Sequence, residues 1–281
     1  MTDACIVCGC SETLPFYRGI VRCRKCGHVY ADSQLSAEEL SALYQREYFF
    51  GDEYHDYIAD KAILQKNFAL RIKTLQNYIQ PARHRRLFEI GAAYGFFLDV
   101  VRHSFDAVHG IDIAEDGPRY AREQLHLDVV RGDFLDYPCD GKIFDVACMW
   151  DTIEHLQQPQ RYIEKLSDST TSGALLALTT GDIESLNARW KRDSWRLLHP
   201  PTHLHYFSAQ TITQMLEKYG FSVIYNRYCG FYRSVENMVY NIFVLRKRQL
   251  RLYEWMKTFG ITKGNLYLNL YDIMYVVARR R

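Results

Sequence analysis

The sequence of 281 residues lacks the features that mark membrane, fibrous and disordered proteins. It contains no apolar run long enough to span a bilayer, no internal repeat and no low-complexity tract. Neither sign of charge predominates, since 35 Lys and Arg nearly balance 33 Asp and Glu. These absences argue against a membrane-spanning protein, a repeat solenoid and a chain drawn as a whole to nucleic acid. They predict an ordinary folded protein with one dominant core.

The N-terminal residues also lack the pattern of a secretory signal. The sequence MTDACIVCGC has neither a basic start nor an apolar stretch. We therefore expect a cytoplasmic protein, in which cysteines remain reduced thiols. Five of the cysteines lie within the first 26 residues, and this clustering favours metal binding over disulfides.

Two C-x-x-C knuckles organise these N-terminal cysteines. Gly9 and Gly27 follow the knuckles and allow a tight turn at each. Two pairs of thiolates at this spacing supply the four soft ligands of a tetrahedral structural zinc site. The predicted zinc ligands are Cys5, Cys8, Cys23 and Cys26. Cys10 and His28 are the substitute ligands.

The rest of the chain predicts an α/β fold. Ser36 to Glu39 reads as a helix-capping box, and an apolar stripe predicts a long helix from about residue 57 to 79. From Arg86, strand and helix patterns alternate, which predicts a parallel sheet covered on both faces. We divide the chain into a zinc ribbon (1–35), a helical linker or cap (36–82) and a core (83–281).

A segment before the last predicted strand is too long for a hairpin loop. Residues of about 231–268 show helical spacing, with Trp255 and several tyrosines. We predict a helical insertion here. It is a candidate substrate lid or homodimer surface.

The first core strand ends in a turn of small residues. Leu87 to Gly91 reads as an apolar strand, and Gly95 closes a turn that opens a helix. Such a turn brings backbone N–H groups close to a ligand. A dinucleotide fingerprint would place glycine where this chain has Ala93 and Phe96. Together with the acidic Glu89, this argues against a pyrophosphate ligand and favours a cationic one.

The following strands end in polar or aromatic residues. Asp112 ends the second strand, where a carboxylate can accept both hydroxyls of a ribose. Asp133 and Phe134 follow the third strand and offer a carboxylate and a ring to an adenine. Trp150 ends the fourth strand. Ligands bind beyond the carboxyl ends of such strands, so the sequence predicts one shared site.

This ordered set resembles the class I S-adenosylmethionine (SAM) methyltransferases over roughly residues 86–281. Residues 151–156 look like the acidic-x-x-Glu-His segment of the ubiquinone-biosynthesis O-methyltransferases, and residues 203–208 look like a segment of small-molecule and sugar methyltransferases. The knuckles followed by residues 47–49 resemble zinc-ribbon members from bacterial polysaccharide and natural-product pathways. The resemblance implies a Rossmann-like core of seven strands. It implies cofactor contacts from Glu89, Gly91, Ala93, Gly95, Asp112, Ile113, Asp133, Phe134 and Trp150.

Histidines are the candidate catalytic residues, because histidine accepts protons near neutral pH. The candidates are His155, His203 and His205, in segments expected to face the cofactor. An alternative uses Asp151, Glu154 and His155 as ligands of a divalent cation that holds a substrate diol. Hydrogen bonding of Glu154 and His155 without any metal is the favoured reading of that segment.

The expected function is SAM-dependent methylation, on oxygen before carbon or nitrogen, of a small metabolite such as a sugar or a natural-product or polysaccharide intermediate. One alternative is an RNA or protein methyltransferase that docks through the ribbon. Balanced charge and the lack of an Asn- or Asp-Pro-Pro-aromatic motif count against nucleic acid. The other alternative is a noncatalytic scaffold that binds the cofactor.

Overall fold

The computed structural model describes residues 4–32, 57–139 and 144–281. The strands in these ranges are β1 (Thr13–Tyr17), β2 (Ile20–Cys23), β3 (Val29–Ala31), β4 (Arg86–Ile90), β5 (Ala107–Asp112), β6 (Asp128–Arg131), β7 (Phe144–Trp150), β8 (Thr170–Gly181), β9 (His205–Tyr206), β10 (Phe221–Tyr228), β11 (Phe231–Ser234), β12 (Asn265–Leu268) and β13 (Ile273–Arg280). The α-helices are α1 (Lys61–Leu75), α2 (Phe96–Val101), α3 (Asp116–Leu125), α4 (Pro159–Ser169), α5 (Leu186–Lys191), α6 (Ala209–Lys218), α7 (Val235–Tyr240) and α8 (Leu250–Thr258).

The core is a seven-stranded sheet in the order β10-β13-β8-β7-β4-β5-β6. The β8, β7, β4, β5 and β6 strands run parallel, and β13 lies antiparallel between β10 and β8. Neighbouring residues of one strand pack into different apolar clusters: Leu87 belongs to one cluster and Phe88 to another. This alternation is what a sheet covered on both faces requires. The predicted Rossmann-like core is confirmed.

The N-terminal residues form a small sheet that includes one strand from the core region. Its order is β1-β2-β3-β9. Tyr30 pairs with His205, and the N–H of Ala31 donates to the carbonyl of Leu204 at 2.8 Å. Because β9 belongs to the segment that follows α5, the N-terminal module is tied to the core by backbone hydrogen bonds. No pattern in the sequence predicts this pairing.

The inserted segment, defined here as residues 231–268, begins and ends with paired strands. β11 and β12 are antiparallel, with Phe231 opposite Leu268 and Ser234 opposite Asn265. Between them lie α7, a π-helical turn (Asn241–Arg246) and α8. The predicted helices are present, and the strand pair that closes the segment is an addition to the prediction.

Helix boundaries follow local capping. The Ser208 hydroxyl and the Thr211 side chain form a reciprocal capping box at the start of α6. The helix predicted from residue 57 to 79 is shorter in the structure and ends at Leu75. Just after this end, the Asn77 side chain donates a hydrogen bond to the Thr74 carbonyl. The Ser36 to Glu39 capping box and residues 47–49 lie outside the described residues. The domain boundaries at residues 35 and 82 stay predictions.

None of the helices in the described ranges combines the length and the apolar character needed to cross a bilayer.

Candidate active site

A cavity of about 570 Å³ opens at the carboxyl ends of β4, β5, β6 and β7. The lining residues are grouped here by element. The turns that follow β4, β5 and β6, with Trp150 at the end of β7, form the group called the strand-end half. The other half comes from α1, from residues around the 3₁₀ turn Ile153–His155, and from the inserted segment. The turns at the strand ends, α1 and the inserted segment thus line one shared cavity. The expectation that residues after successive strands meet in one site agrees with this arrangement.

The turn after β4 is held tightly against β5. Gly91 has a φ of 78°, and a Cβ there would lie 2.5 Å from Oγ1 of Thr152. The backbone N–H of Ala93 donates to Oδ2 of Asp112 at 2.8 Å, and the N–H of Ala114 donates to Oδ1 at 2.9 Å. The Asp112 carboxylate therefore fixes both turns that frame this half of the cavity.

Not every predicted cofactor residue reaches the cavity. Gly91, Ala93, Asp112, Ile113, Phe134 and Trp150 line it. Gly95 has a φ of 73° and precedes α2, but it is not a lining residue. Asp133 is also absent from the lining, because Oδ1 of its carboxylate accepts from the hydroxyl of Tyr162 at 2.6 Å. The Tyr162 ring lines the cavity in its place.

Two residues important to this half were missed in the sequence. Tyr162 lies in α4 and packs near the Phe134 ring, with the ring centroids 6.1 Å apart. Gly117 lies in the first turn of α3, where a Cβ would meet the carbonyl oxygen of Ala93 at 2.5 Å. No local pattern marks either residue, because both act through contacts between distant segments.

His155 and His203 meet in the other half of the cavity. Their ring centroids are 4.5 Å apart, and both residues line the cavity. Nδ1 of His155 lies 3.0 Å from the Thr202 carbonyl, and Nδ1 of His203 lies 2.8 Å from the Leu197 carbonyl. A carbonyl only accepts, so each Nδ1 carries a proton and each neutral ring keeps an unprotonated Nε2.

Burial keeps both rings neutral at ordinary pH. It lowers the pKa of His155 to about 4, although the Thr202 carbonyl raises it in part. Burial, followed by the neighbouring His155, lowers the pKa of His203 well below its usual value. An uncharged imidazole with an unprotonated Nε2 can accept a proton from a substrate.

His205 has a different place. Its Nδ1 lies 3.2 Å from Nε2 of His28, its Nε2 lies 3.3 Å from the Gln157 carbonyl, and its ring does not line the cavity. It links the N-terminal module to the core. We therefore keep only His155 and His203 as candidate proton acceptors.

The alternative cation site at Asp151, Glu154 and His155 does not form as a group, because Asp151 lies outside it. Asp151 instead pairs with Arg71, whose Nη2 lies 3.1 Å from Oδ2. Asp151 has a φ of 49°, and this left-handed backbone breaks the helical spacing that would place it beside Glu154. Among the described residues, the side chains grouped closely enough to hold a cation here are Glu154, His155 and His203, whose ligand atoms lie within 4.8 Å of one another.

The four N-terminal cysteines form a second group of this kind. Their Sγ atoms lie within 4.8 Å of one another. Cys5 and Cys26 are 3.5 Å apart at Sγ, as are Cys8 and Cys23. Tetrahedral zinc with Zn–S bonds of about 2.3 Å requires sulfur atoms about 3.8 Å apart. The cluster is therefore of the right size for one zinc ion.

Comparisons with known proteins identify the family. A family model described as a methyltransferase domain matches residues 60–226, more than half of the chain. The chain belongs to this methyltransferase family. No curated protein sequence matches it.

Solved structures share the fold of this methyltransferase. A SAM-dependent methyltransferase from Thermotoga maritima, described as a possible histamine N-methyltransferase, matches with a TM-score of 0.56 and 15% identity, over 86% of this chain and 100% of its own. A chain from the Haloferax volcanii complex of the Trm112 methyltransferase activator matches with a TM-score of 0.54 and 13% identity, over 82% and 96%. YcgJ from Bacillus subtilis matches with a TM-score of 0.52 and 15% identity, over 77% of this chain and 98% of its own. The expected methyltransferase class and its fold are confirmed.

The acidic groups of the methyltransferase suit the cationic cofactor. Glu89, which was predicted to contact the cofactor, is 2% exposed and is not among the residues that line the cavity, and no hydrogen-bond partner among the described residues reaches its Oε2. Burial, followed by the charge of nearby Asp112, raises the pKa of Glu89 well above its usual value. A sulfonium or ammonium group would offset the cost of these carboxylates, whereas a pyrophosphate would add to it. The site therefore fits SAM and disfavours a dinucleotide.

Proposed function

We propose that this methyltransferase methylates a hydroxyl oxygen of a small metabolite, such as a sugar or an intermediate of natural-product or polysaccharide synthesis. The main support is that one cavity joins the strand-end turns to the His155–His203 pair. Its volume of about 570 Å³ lies in the range of small-ligand sites, about 300–1,000 Å³. Carbon and nitrogen acceptors are the alternatives.

The strand-end half is the proposed cofactor half. Asp112 would hold the ribose, Ile113 and Phe134 would flank the adenine, and the Gly91 turn would contact the methionine part. When bound, SAM supplies a methyl group activated by its sulfonium. The protein has only to align the acceptor and remove its proton.

His155 is the proposed proton acceptor. It is less buried than His203, which is 6% exposed, so it is the more accessible of the two residues. His203 packs edge-on against it and limits its rotation. In the proposed reaction the acceptor oxygen bonds to the methyl carbon, the carbon–sulfur bond breaks, and the hydroxyl proton moves to Nε2 of His155.

The choice of acceptor class can be tested by isotope transfer. Incubating the protein with methyl-labelled SAM and a fractionated cell extract should place the label in the low-molecular-mass fraction. Label in the RNA or protein fraction would contradict the proposal. The absence of label in every fraction, with intact cofactor binding, would favour a noncatalytic role.

Replacing Asp112 with alanine should weaken binding of S-adenosylhomocysteine by about 1–3 kcal/mol, because a buried hydrogen-bonding partner is lost. Isothermal titration calorimetry measures this change. Asp116→Ala is the matched control, since Asp116 is exposed and pairs with the neighbouring Arg119 side chain. Unchanged affinity in Asp112→Ala, or saturable NAD binding by the wild type, would contradict the assignment.

The cysteine cluster is the proposed site of one structural zinc ion, with Cys5, Cys8, Cys23 and Cys26 as ligands. The turns support this role. The N–H of Gly9 donates to the Cys5 carbonyl at 2.8 Å, and the N–H of Gly27 donates to the Cys23 carbonyl at 3.0 Å. The two knuckles thus have matching backbone bonds, as expected for two halves of one metal site.

A further inference from the structure

The inserted segment concentrates positive charge. Within residues 231–268 there are seven basic and two acidic residues, a net charge of +5. The rest of the chain holds 28 basic and 31 acidic residues, a net charge of −3. The basic residues are Arg233, Arg246, Lys247, Arg248, Arg251, Lys257 and Lys263. The net charge of the whole chain is therefore close to zero although the inserted segment is strongly cationic.

The α8 helix of this segment presents an apolar stripe to solvent. Leu252, Trp255 and Phe259 follow at helical spacing, so they share one face, and they are 39%, 53% and 67% exposed. The Trp255 and Phe259 rings are 4.9 Å apart. A helix on the surface of a globular protein ordinarily turns this stripe toward the core.

The opposite face of α8 is the one that packs on the protein. Tyr253 is 6% exposed, its ring centroid lies 5.3 Å from that of Tyr240, and its hydroxyl donates to Glu236 at 3.0 Å. Lys257 also pairs with Glu236, at 2.6 Å. These contacts fix the rotation of α8, so the outward direction of the apolar stripe follows from the packing.

We propose that this outward face docks on an anionic lipid surface. Trp and Phe on one face of a helix, flanked by Lys and Arg, are the composition of helices that lie in the plane of a membrane interface. Trp255 and Phe259 would enter the interface, while Lys247 and Arg251 would contact anionic headgroups. The positive charge of the segment and the negative charge of such a lipid surface are complementary, which favours this partner.

A second copy of the chain fits this face less well. A twofold contact places the same patch on both sides, so the basic residues beside the stripe, among them Lys247 and Arg251, would face their own copies. A lipid surface instead offers negative charge around an apolar interior. Since α7 of the same segment contributes Asn237 and Met238 to the cavity lining, docking would place one wall of the active site beside the membrane.

Vesicle co-sedimentation of the full chain tests the proposal. The protein should bind vesicles of phosphatidylcholine mixed with phosphatidylglycerol, should not bind phosphatidylcholine alone, and should be released by salt. The double variants Trp255→Ser with Phe259→Ser and Lys247→Glu with Arg251→Glu should each lower partitioning by at least about tenfold. Unchanged S-adenosylhomocysteine affinity shows that each variant is folded.

Arg161→Glu with Lys218→Glu is the matched control. It changes net charge by the same amount at exposed positions of α4 and α6 and should bind vesicles as the wild type does. Failure of the wild type to bind anionic vesicles would overturn the proposal, as would an equal loss in the control. Self-association or RNA binding that Trp255→Ser with Phe259→Ser abolishes, without vesicle binding, would assign the face to those partners instead.

Discussion

Replacing His155 with alanine should lower the turnover number by about 10²- to 10⁴-fold, the usual loss when a general base is removed. The affinity for S-adenosylhomocysteine should change little, because His155 is proposed to contact the methyl acceptor and not the cofactor. Steady-state kinetics combined with calorimetry measure the two quantities separately. His203→Ala should have a smaller effect on turnover, since that ring positions His155.

His199→Ala is the matched control, because His199 is exposed and lies near His203 without lining the cavity. If His155→Ala and His203→Ala both turn over at the wild-type rate, catalysis rests on alignment alone and the assignment is wrong. If chelator lowers wild-type turnover as much as His155→Ala does, a divalent cation at Glu154, His155 and His203 replaces the proton acceptor.

The pH profile gives a further check on His155. Its folded-state pKa is lowered to about 4, so the neutral, proton-accepting form is present above that pH and is lost as pH falls through it. Turnover should therefore stay level between about pH 6 and 8, the range in which an unperturbed histidine titrates. A fall in turnover centred near pH 6.5 would show that burial does not depress this pKa.

Removing the zinc ligands should have the other large effect. The wild type should contain one zinc ion per chain, and Cys23→Ser with Cys26→Ser should contain none and should unfold in the N-terminal module. The reason is that zinc binds to structural sites in small peptides with a free energy of about 10–16 kcal/mol, which stabilises the fold. Elemental analysis gives the metal content, and hydrogen exchange over residues 4–32 reports the unfolding. Turnover should fall as well, since β3 pairs with β9 beside His203.

Cys10→Ser is the matched control. Cys10 lies between the two knuckles but outside the four-cysteine group, and its Sγ is 4.0 Å from the Glu12 carbonyl. This variant should keep its zinc. Well under one zinc in wild-type protein purified without chelator, or unchanged metal in Cys23→Ser with Cys26→Ser, would contradict the proposed site.

The cofactor half could be predicted because its chemistry follows the order of the chain. Each strand ends in a short turn, and parallel strands bring these turns to one edge. Gly91, Asp112 and Phe134 could therefore be placed together without knowing any long-range contact. The cysteine cluster could be predicted for a similar reason, since two knuckles need only a hairpin between them to meet.

The acceptor half depends on contacts that no local pattern contains. His203 meets His155 only because the chain returns to the cavity after α5, and Asp151 leaves the expected trio because its backbone is left-handed. The role of Gly117 arises from the close approach of α3 to the Ala93 carbonyl. Such positions are set by packing, on which helical or strand periodicity gives no information.

The pairing of β3 with β9 also has a consequence for how the protein folds as it is synthesised. Residues 4–31 can form their knuckles and hairpin early, because these contacts are local. The edge of β3 must then wait for its partner, since His28 and His205 are 177 residues apart. An unpaired edge strand is a template for wrong pairing. The edge of β3 in the nascent chain is therefore open to wrong pairing until residue 206 has left the ribosome.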